Sequence, residues 1–175
     1  TMRGYRKRPG TQGFSVPLVG ASLFFIISLF LFASYKNSAY QQAKKEIDSL
    51  YTANRAFDLD EVYQDGLTAI YAKEYGKTAT EAGCEALEQT GLPYVLLLSQ
   101  FSAPVERVYV TNCQLSETGR EKKARTYDYT VSVRFCLEKG DEMLAPEKTM
   151  DFHGTVVIKK KGWFRWLLDG VTLGE

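Results

Sequence analysis

The side chains that could take part in acid–base chemistry are few and scattered. His153 is the only histidine, and the alternation of its predicted strand places it on the polar face, opposite Phe152. A general base needs a partner within hydrogen-bond reach, and the sequence has no Gly-x-Ser-x-Gly, phosphate loop or metal-spaced Cys/His pair. We therefore predict no enzymatic activity, no cofactor and no metal.

An acidic segment, "DLDEVYQD" at residues 58–65, groups several carboxylates. It lacks the glycine and the terminal glutamate spacing of a calcium-binding loop. Asp58 and Glu61 are three residues apart, as in a helix capping box. Helix capping is therefore the preferred interpretation of this segment.

Three cysteines occur in the sequence, which is too few for a disulfide framework. Cys113 and Cys136 both lie in predicted strands, so they are the preferred pair if a disulfide forms. Such a bridge would contribute very roughly 3 kcal/mol. The alternative, in which these two and Cys84 are unpaired thiols, stays open.

The most unusual feature of the C-terminal half is the basic and aromatic segment "IKKKGWFRWLL". One interpretation is a cationic hairpin turn whose two tryptophans pack into the core. The other is contact with an anionic surface, either lipid headgroups or a wall polymer. A second basic turn, "GREKKAR", precedes it, and the sequence does not show whether both turns lie on one edge. The candidate surface residues are Lys159, Lys160, Lys161, Trp163 and Arg165.

The N-terminal region combines a basic segment with a long apolar one. Residues 1–13 contain four Lys or Arg and no acid, and residues 14–35 contain no charge. A bilayer core of about 30 Å requires a helix of roughly 20 apolar residues, whereas the apolar part of a cleaved signal peptide has about 7–15. The pattern predicts a retained transmembrane helix over residues 14–35.

The distribution of charge predicts the orientation of this span. The basic residues before it favour a cytoplasmic N-terminus, with the rest of the chain outside. Removing those four charges from the net charge of +1 leaves −3. A slightly acidic external domain gives no general argument for binding nucleic acid.

The remaining sequence predicts an α+β fold. An amphipathic helix continues from the span to Phe57, with apolar residues at three- and four-residue steps. Further short helices follow, one stopped by Gly76 and one by Gly91, and then four strands form an antiparallel meander with one face covered by the helices. In one of these strands, alternate residues from Tyr127 to Leu137 are aromatic or aliphatic and lie on one face. The predicted regions are a cytoplasmic leader (1–13), a transmembrane helix (14–35), an external helical region (36–102) and an antiparallel sheet (103–175).

The segment "GTQGFSVPLVGASLFFIISLF" resembles the N-terminus of type IV pilins and pseudopilins. In that family a prepilin peptidase cuts after a glycine that ends a short basic leader, and Gly13 and Phe14 match the cut site. The long helix followed by an antiparallel sheet also matches the layout of these proteins. Leu18 stands where the family has an acidic residue, and Gln12 precedes the glycine in place of Lys or Arg.

A second resemblance concerns the external domain alone. Helices followed by a curved four-stranded sheet look like the cystatin-like or nuclear-transport-factor-like cone. With one N-terminal span, this layout is similar to that of bitopic subunits of conjugative secretion channels, which are scaffolds. Some cone folds bind small ligands or are enzymes, and His153 and Tyr129 are the residues that this resemblance would assign to such a role.

These features predict a single-pass, non-enzymatic protein of the bacterial cell envelope, in the cell membrane. The first hypothesis is a pilin-like or pilus-associated subunit. The alternatives are a scaffold subunit of a secretion or conjugation channel, and a small-ligand-binding or enzymatic cone. The expected partners are the lipid bilayer and other envelope or pilus subunits, bound through the amphipathic helix. Neither nucleic acid nor a small-molecule ligand is expected.

Overall fold

The computed structural model describes residues 16–139 and 147–174. The chain divides into two compact units, Thr1–Tyr35 and Lys36–Glu175. The predicted leader and the predicted cut site at Gly13–Phe14 lie outside the described residues.

The first long element is helix α1, which runs over Val16–Leu50. In the first unit its apolar side chains are exposed on all sides of the helix. The large apolar side chains from Leu23 to Phe32 are between 49% and 75% exposed. Among the described residues, one helix is long and apolar enough to cross a membrane, and that segment lies within α1. The predicted apolar helix is confirmed, and its length is sufficient for a span.

In the second unit, α1 has a buried stripe and a polar face. Ala39, Ala43, Ile47 and Leu50 are at most 2% exposed, at the three- and four-residue steps of one helix face. The prediction that this helix continues to Phe57 is wrong, because it ends at Leu50. The next residues turn into a short strand, where pairing with the sheet replaces helical hydrogen bonds.

The short helices follow the predicted order but not every predicted boundary. The capping box at Asp58 is wrong, because the second helix already begins at Arg55. Gly76 and Gly91 follow helices as predicted, and Gly91 takes the left-handed conformation, with φ of 69°, that favours glycine at a helix end. The four helices are α2 (Arg55–Asp65), α3 (Leu67–Tyr75), α4 (Glu81–Thr90) and α5 (Tyr94–Leu97).

The sheet is a curled antiparallel meander with five strands, in the order β1-β2-β3-β4-β5. The prediction of four strands missed β1, which lies in the region predicted as helical. A strand of two residues carries no periodicity that a sequence can show. The strands are β1 (Ala53–Asn54), β2 (Val105–Arg120), β3 (Ala124–Leu137), β4 (Glu147–Lys161) and β5 (Arg165–Leu173).

The core lies between the sheet and the helices. The predicted inner face of β3 is confirmed, because its alternate residues from Tyr127 to Leu137 are all at most 2% exposed. Helix α4 packs closely on β5, where Thr80 N donates to Leu168 O over 2.8 Å and Leu168 N donates to Thr78 O over 2.9 Å. These contacts fix β5, and with it the turn that precedes β5, relative to the helices.

Candidate functional site

His153 and Tyr129 lie on opposite faces of the sheet. His153 is exposed and stands opposite Thr130 in the register of β3 and β4, whereas Tyr129 is 2% exposed. The Tyr129 hydroxyl lies 2.9 Å from that of Tyr51 and 3.2 Å from the carbonyl oxygen of Thr172, to which it donates. The structure does not bring the two candidate residues into one site.

The Tyr51–Tyr129 pair ties the residue that follows α1 to the sheet. Burial raises the pKa of both hydroxyls, most strongly for Tyr51, where the hydrogen bond between them adds to the effect. Both therefore stay protonated at neutral pH. Both hydroxyls already have hydrogen-bond partners inside the core. The pair therefore serves as a structural contact.

The structure does not pair Cys113 with Cys136, and Cys84, Cys113 and Cys136 are all free, which corresponds to the second of the two alternatives. Cys113 stands opposite Val131 in the register of β2 and β3, and Cys136 stands opposite Arg107. The two cysteines are therefore about five residues, or about 17 Å, apart along the strands. Val131 and Cys136 are an odd number of residues apart on β3, so the two thiols also lie on opposite faces. A disulfide requires Cα atoms within about 7 Å.

The turn between β4 and β5 presents two aromatic side chains to solvent. Trp163 is 83% exposed and Phe164 is 81% exposed. Gly162 takes a φ of 69°, which allows the tight turn without the steric cost of a side chain. The interpretation that both tryptophans pack into the core is wrong for Trp163. We call Gly162, Trp163 and Phe164 the aromatic tip.

Trp166, three residues after Trp163, is buried and connects β5 to α1. Its indole Nε1 donates to Ser38 Oγ over 2.9 Å. The guanidinium of Arg125 lies 5.4 Å from the ring centroid of Trp166, within the range of a cation–π contact. The Arg165 Nη2 donates to the carbonyl oxygen of Lys77 over 2.6 Å. The base of the aromatic tip is thus held firmly against the helices.

The two basic turns lie side by side at one end of the sheet. Lys160 N donates to Lys123 O over 2.7 Å, and Ala124 stands opposite Lys159. An antiparallel meander brings every second turn to the same end, so the β2–β3 turn (residues 121–123) and the aromatic tip are neighbours. We call this end of the sheet the basic end. Its cationic residues are Lys122, Lys123, Lys159, Lys160, Lys161 and Arg165.

The acidic residues at the basic end are few. Lys159 Nζ lies 3.9 Å from Asp169 Oδ1, and the nearby Arg120 and Glu117 pair with each other. Glu121 is the remaining acid of the two turns. Glu81 lines the same cleft as Lys159 and Lys161. Cationic side chains still outnumber acidic ones at the basic end. Sequence reasoning recognised Lys122 and Lys123 as part of a second basic turn. It left open whether the two turns lie on one edge, because that depends on strand pairing.

Two clefts in the described part of the chain lie beside the basic end. One of about 250 Å³ is lined by Ser38, Lys77 and Phe164, among others. Another, of about 450 Å³, is lined by Thr80, Lys160 and neighbouring residues. Among residues 16–139 and 147–174, no group of three His, Cys, Asp or Glu could hold a metal ion.

One charged side chain in the described residues is buried. Glu46, on α1, is 4% exposed and accepts a hydrogen bond from Gln42 Nε2 over 2.6 Å. Burial raises the pKa of this carboxyl, although the hydrogen bond from Gln42 opposes the effect. Sequence reasoning did not single out Glu46, since nothing local distinguishes it from the exposed acids of the same helix.

The chain matches no known family model, no curated protein and no solved structure.

Proposed function

We propose that this chain is a single-pass, non-enzymatic scaffold subunit of an assembly in the cell envelope. The observation that carries the proposal is the change of character along α1. Around Leu23 to Phe32 the helix is apolar and exposed on all sides, whereas beyond Ser38 the same helix buries only one stripe. The first pattern suits lipid and the second suits a folded domain in water.

A scaffold is preferred to a pilin-like subunit because of the outer face of α1. The stripe of Ala39, Ala43, Ile47 and Leu50 is buried in the chain's own core, so partner subunits cannot bind it. The exposed face carries Gln41, Lys44, Lys45, Asp48 and Ser49. A polar face of this kind does not favour close packing of helices from neighbouring copies. This supports the resemblance to bitopic subunits of secretion or conjugation channels.

A pilin-like or pilus-associated subunit is the second candidate. It is favoured by the extent of α1, which runs without interruption over Val16–Leu50. The resemblance to pilins implies one long helix of this kind, with an antiparallel sheet after it. Cleavage at Gly13 would decide between the two candidates.

Membrane topology provides the first test. With one tag before residue 1 and another after residue 175, protease added to intact spheroplasts should remove only the C-terminal tag. Protection of the C-terminal tag would contradict the proposed orientation and the envelope function with it.

Site-specific photocrosslinking in the native host tests the scaffold role. Crosslinkers at Lys44 on α1, at Tyr63 on α2 and at Met150 on β4 sample three exposed regions. A scaffold subunit should give discrete products of higher mass from at least one position. Recovery of the monomer alone from all three positions would contradict the proposal.

A further inference from the structure

The exposure of the aromatic tip to water is unfavourable in free energy. Trp163 and Phe164 are adjacent in sequence and are each more than four-fifths exposed. Adjacent exposed aromatic side chains mark a contact surface more often than a single exposed aromatic side chain does. Tryptophan in particular is enriched where a protein meets the membrane–water interface, because its ring is apolar and its N–H is polar.

The position of the tip within the folded unit identifies the surface. Trp166, at the base of the tip, is bonded to Ser38, and Phe164 lines the same cleft as Ser38. Ser38 is the first residue of α1 in the folded unit whose side chain is described. The aromatic tip therefore lies at the end of the domain where the chain enters from the apolar segment.

Chain connectivity limits the distance from this end to the bilayer. Ser38 follows Tyr35, the last residue of the apolar segment, by three residues. Three residues span at most about 11 Å when fully extended, and about 4.5 Å as a helix. The interfacial region on each side of a bilayer is about 5–8 Å thick, from the difference between the total and hydrocarbon thickness. The separation of Ser38 from the end of the apolar segment is therefore comparable with the thickness of that layer.

The charge of the basic end favours the same contact. Lys122 and Lys123 on one turn and Lys161 beside the tip are exposed. Lys and Arg side chains close to a membrane surface are attracted to anionic headgroups. A cationic rim around exposed aromatic side chains matches the layered chemistry of the interface, with phosphates outside and acyl chains beneath.

We propose that the aromatic tip inserts into the interface of the membrane that the chain's own helix crosses. Trp163 and Phe164 enter the boundary between headgroups and acyl chains, while Lys122, Lys123 and Lys161 lie against the phosphates of anionic phospholipids. This inference rests on the proposed membrane anchoring. It adds a second point of attachment, which holds the folded domain in one orientation against the bilayer and leaves the opposite end of the sheet for partner proteins.

The test uses the full chain in vesicles of phosphatidylcholine with phosphatidylglycerol. Flotation with the vesicles, resistant to high salt, first establishes that the chain is anchored. The fluorescence of the wild type is then compared with that of Trp163→Phe, in vesicles whose acyl chains carry bromine as a quencher. The chain has two tryptophans, so the difference reports on Trp163, and Trp166 serves as the buried reference.

We expect the Trp163 emission to be shifted to the blue, quenched by the brominated lipid and shielded from acrylamide. Replacing Lys122, Lys123 and Lys161 with Gln should reduce the quenching in these vesicles and have less effect in phosphatidylcholine alone. Equal quenching of wild type and Trp163→Phe in floated vesicles would overturn the proposal while leaving the anchor intact. A response of Trp163 to added poly(glycerol phosphate) but not to lipid would also overturn it, in favour of a wall polymer. Failure to float would instead contradict the membrane anchoring.

Discussion

Trp166 and Ser38 are joined by a hydrogen bond of 2.9 Å from the indole Nε1 to the serine Oγ. The two residues are 128 positions apart in the chain, so the bond closes the last strand of the sheet onto the beginning of the domain. It holds the base of the aromatic tip against the first residues of the folded unit, and it links the fold to the proposed mode of membrane contact.

Replacing Ser38 with Ala should destabilise the folded unit by about 1–2 kcal/mol. The substitution removes the hydroxyl oxygen that accepts from the Trp166 indole N–H, and losing a partly buried hydrogen bond has a cost of this size. Denaturant unfolding of the full chain in detergent, followed by tryptophan fluorescence, measures the change. Ser102→Ala, at an exposed loop position, is the matched control and should have almost no effect. Equal denaturant midpoints for both variants would show that the hydrogen bond contributes nothing to the free energy of unfolding.

Replacing Gly83 with Ala should destabilise the contact between α4 and β5. A Cβ atom at Gly83 would collide with the carbonyl oxygen and carbon of Leu168, and backbone atoms on a paired strand cannot move aside easily. Overpacking of this kind costs about 1–3 kcal/mol. Thermal unfolding should show a clearly lower midpoint temperature for this variant. Glu85→Ala on the exposed face of the same helix should change the free energy of unfolding by less than about 0.5 kcal/mol. If Gly83→Ala unfolds at the same midpoint temperature as the wild type, α4 can move away from β5 at little cost in free energy.

Replacing Glu46 with Gln should stabilise the domain at neutral pH. Burial raises the pKa of Glu46 above its ordinary value of 4.5, so the folded state binds the proton more tightly than the unfolded state. The contribution of Glu46 to the free energy of unfolding therefore falls as the pH rises from about 4.5 through the raised pKa, and it stays low above that. Gln carries no charge at any of these pH values, so the variant does not lose this part of the free energy of unfolding.

The pH dependence provides the control for this prediction. Unfolding of the wild type and of Glu46→Gln should be measured at several pH values from 4 to 8, with Asp48→Asn at an exposed position of the same helix for comparison. The Glu46 variant should show a flatter curve above pH 4.5 than the other two proteins. Parallel curves for all three would mean that the carboxyl of Glu46 is solvated.

Co-expression with a prepilin peptidase tests the pilin-like candidate. If the enzyme recognises this leader, it should cut between Gly13 and Phe14, and the mass of the chain should fall by that of residues 1–13. Gly13→Trp should block the cut, because a glycine lets the backbone approach the peptidase closely and a large side chain does not. An unchanged mass with and without the peptidase would leave the scaffold as the supported candidate.

The sequence by itself determined the features that depend on local periodicity. The apolar segment identified α1 by length and composition, and the alternation of β3 identified its inner face from Tyr127 to Leu137. Gly91 marked the end of α4 because its left-handed φ is a local requirement. Each of these signals acts between residues that are close along the chain, so no knowledge of the fold is needed.

The tertiary structure alone decided the features that depend on pairing between distant segments. β1 exists because its two residues pair with Arg107 and Val108 on β2, and the register of β2 and β3 separates Cys113 from Cys136. The meeting of the two basic turns and the burial of Glu46 follow from the same packing. A one-residue change of register would reverse the face of every side chain in a strand. The sequence therefore showed that a basic and aromatic segment exists, while the order and pairing of the strands placed it beside Ser38.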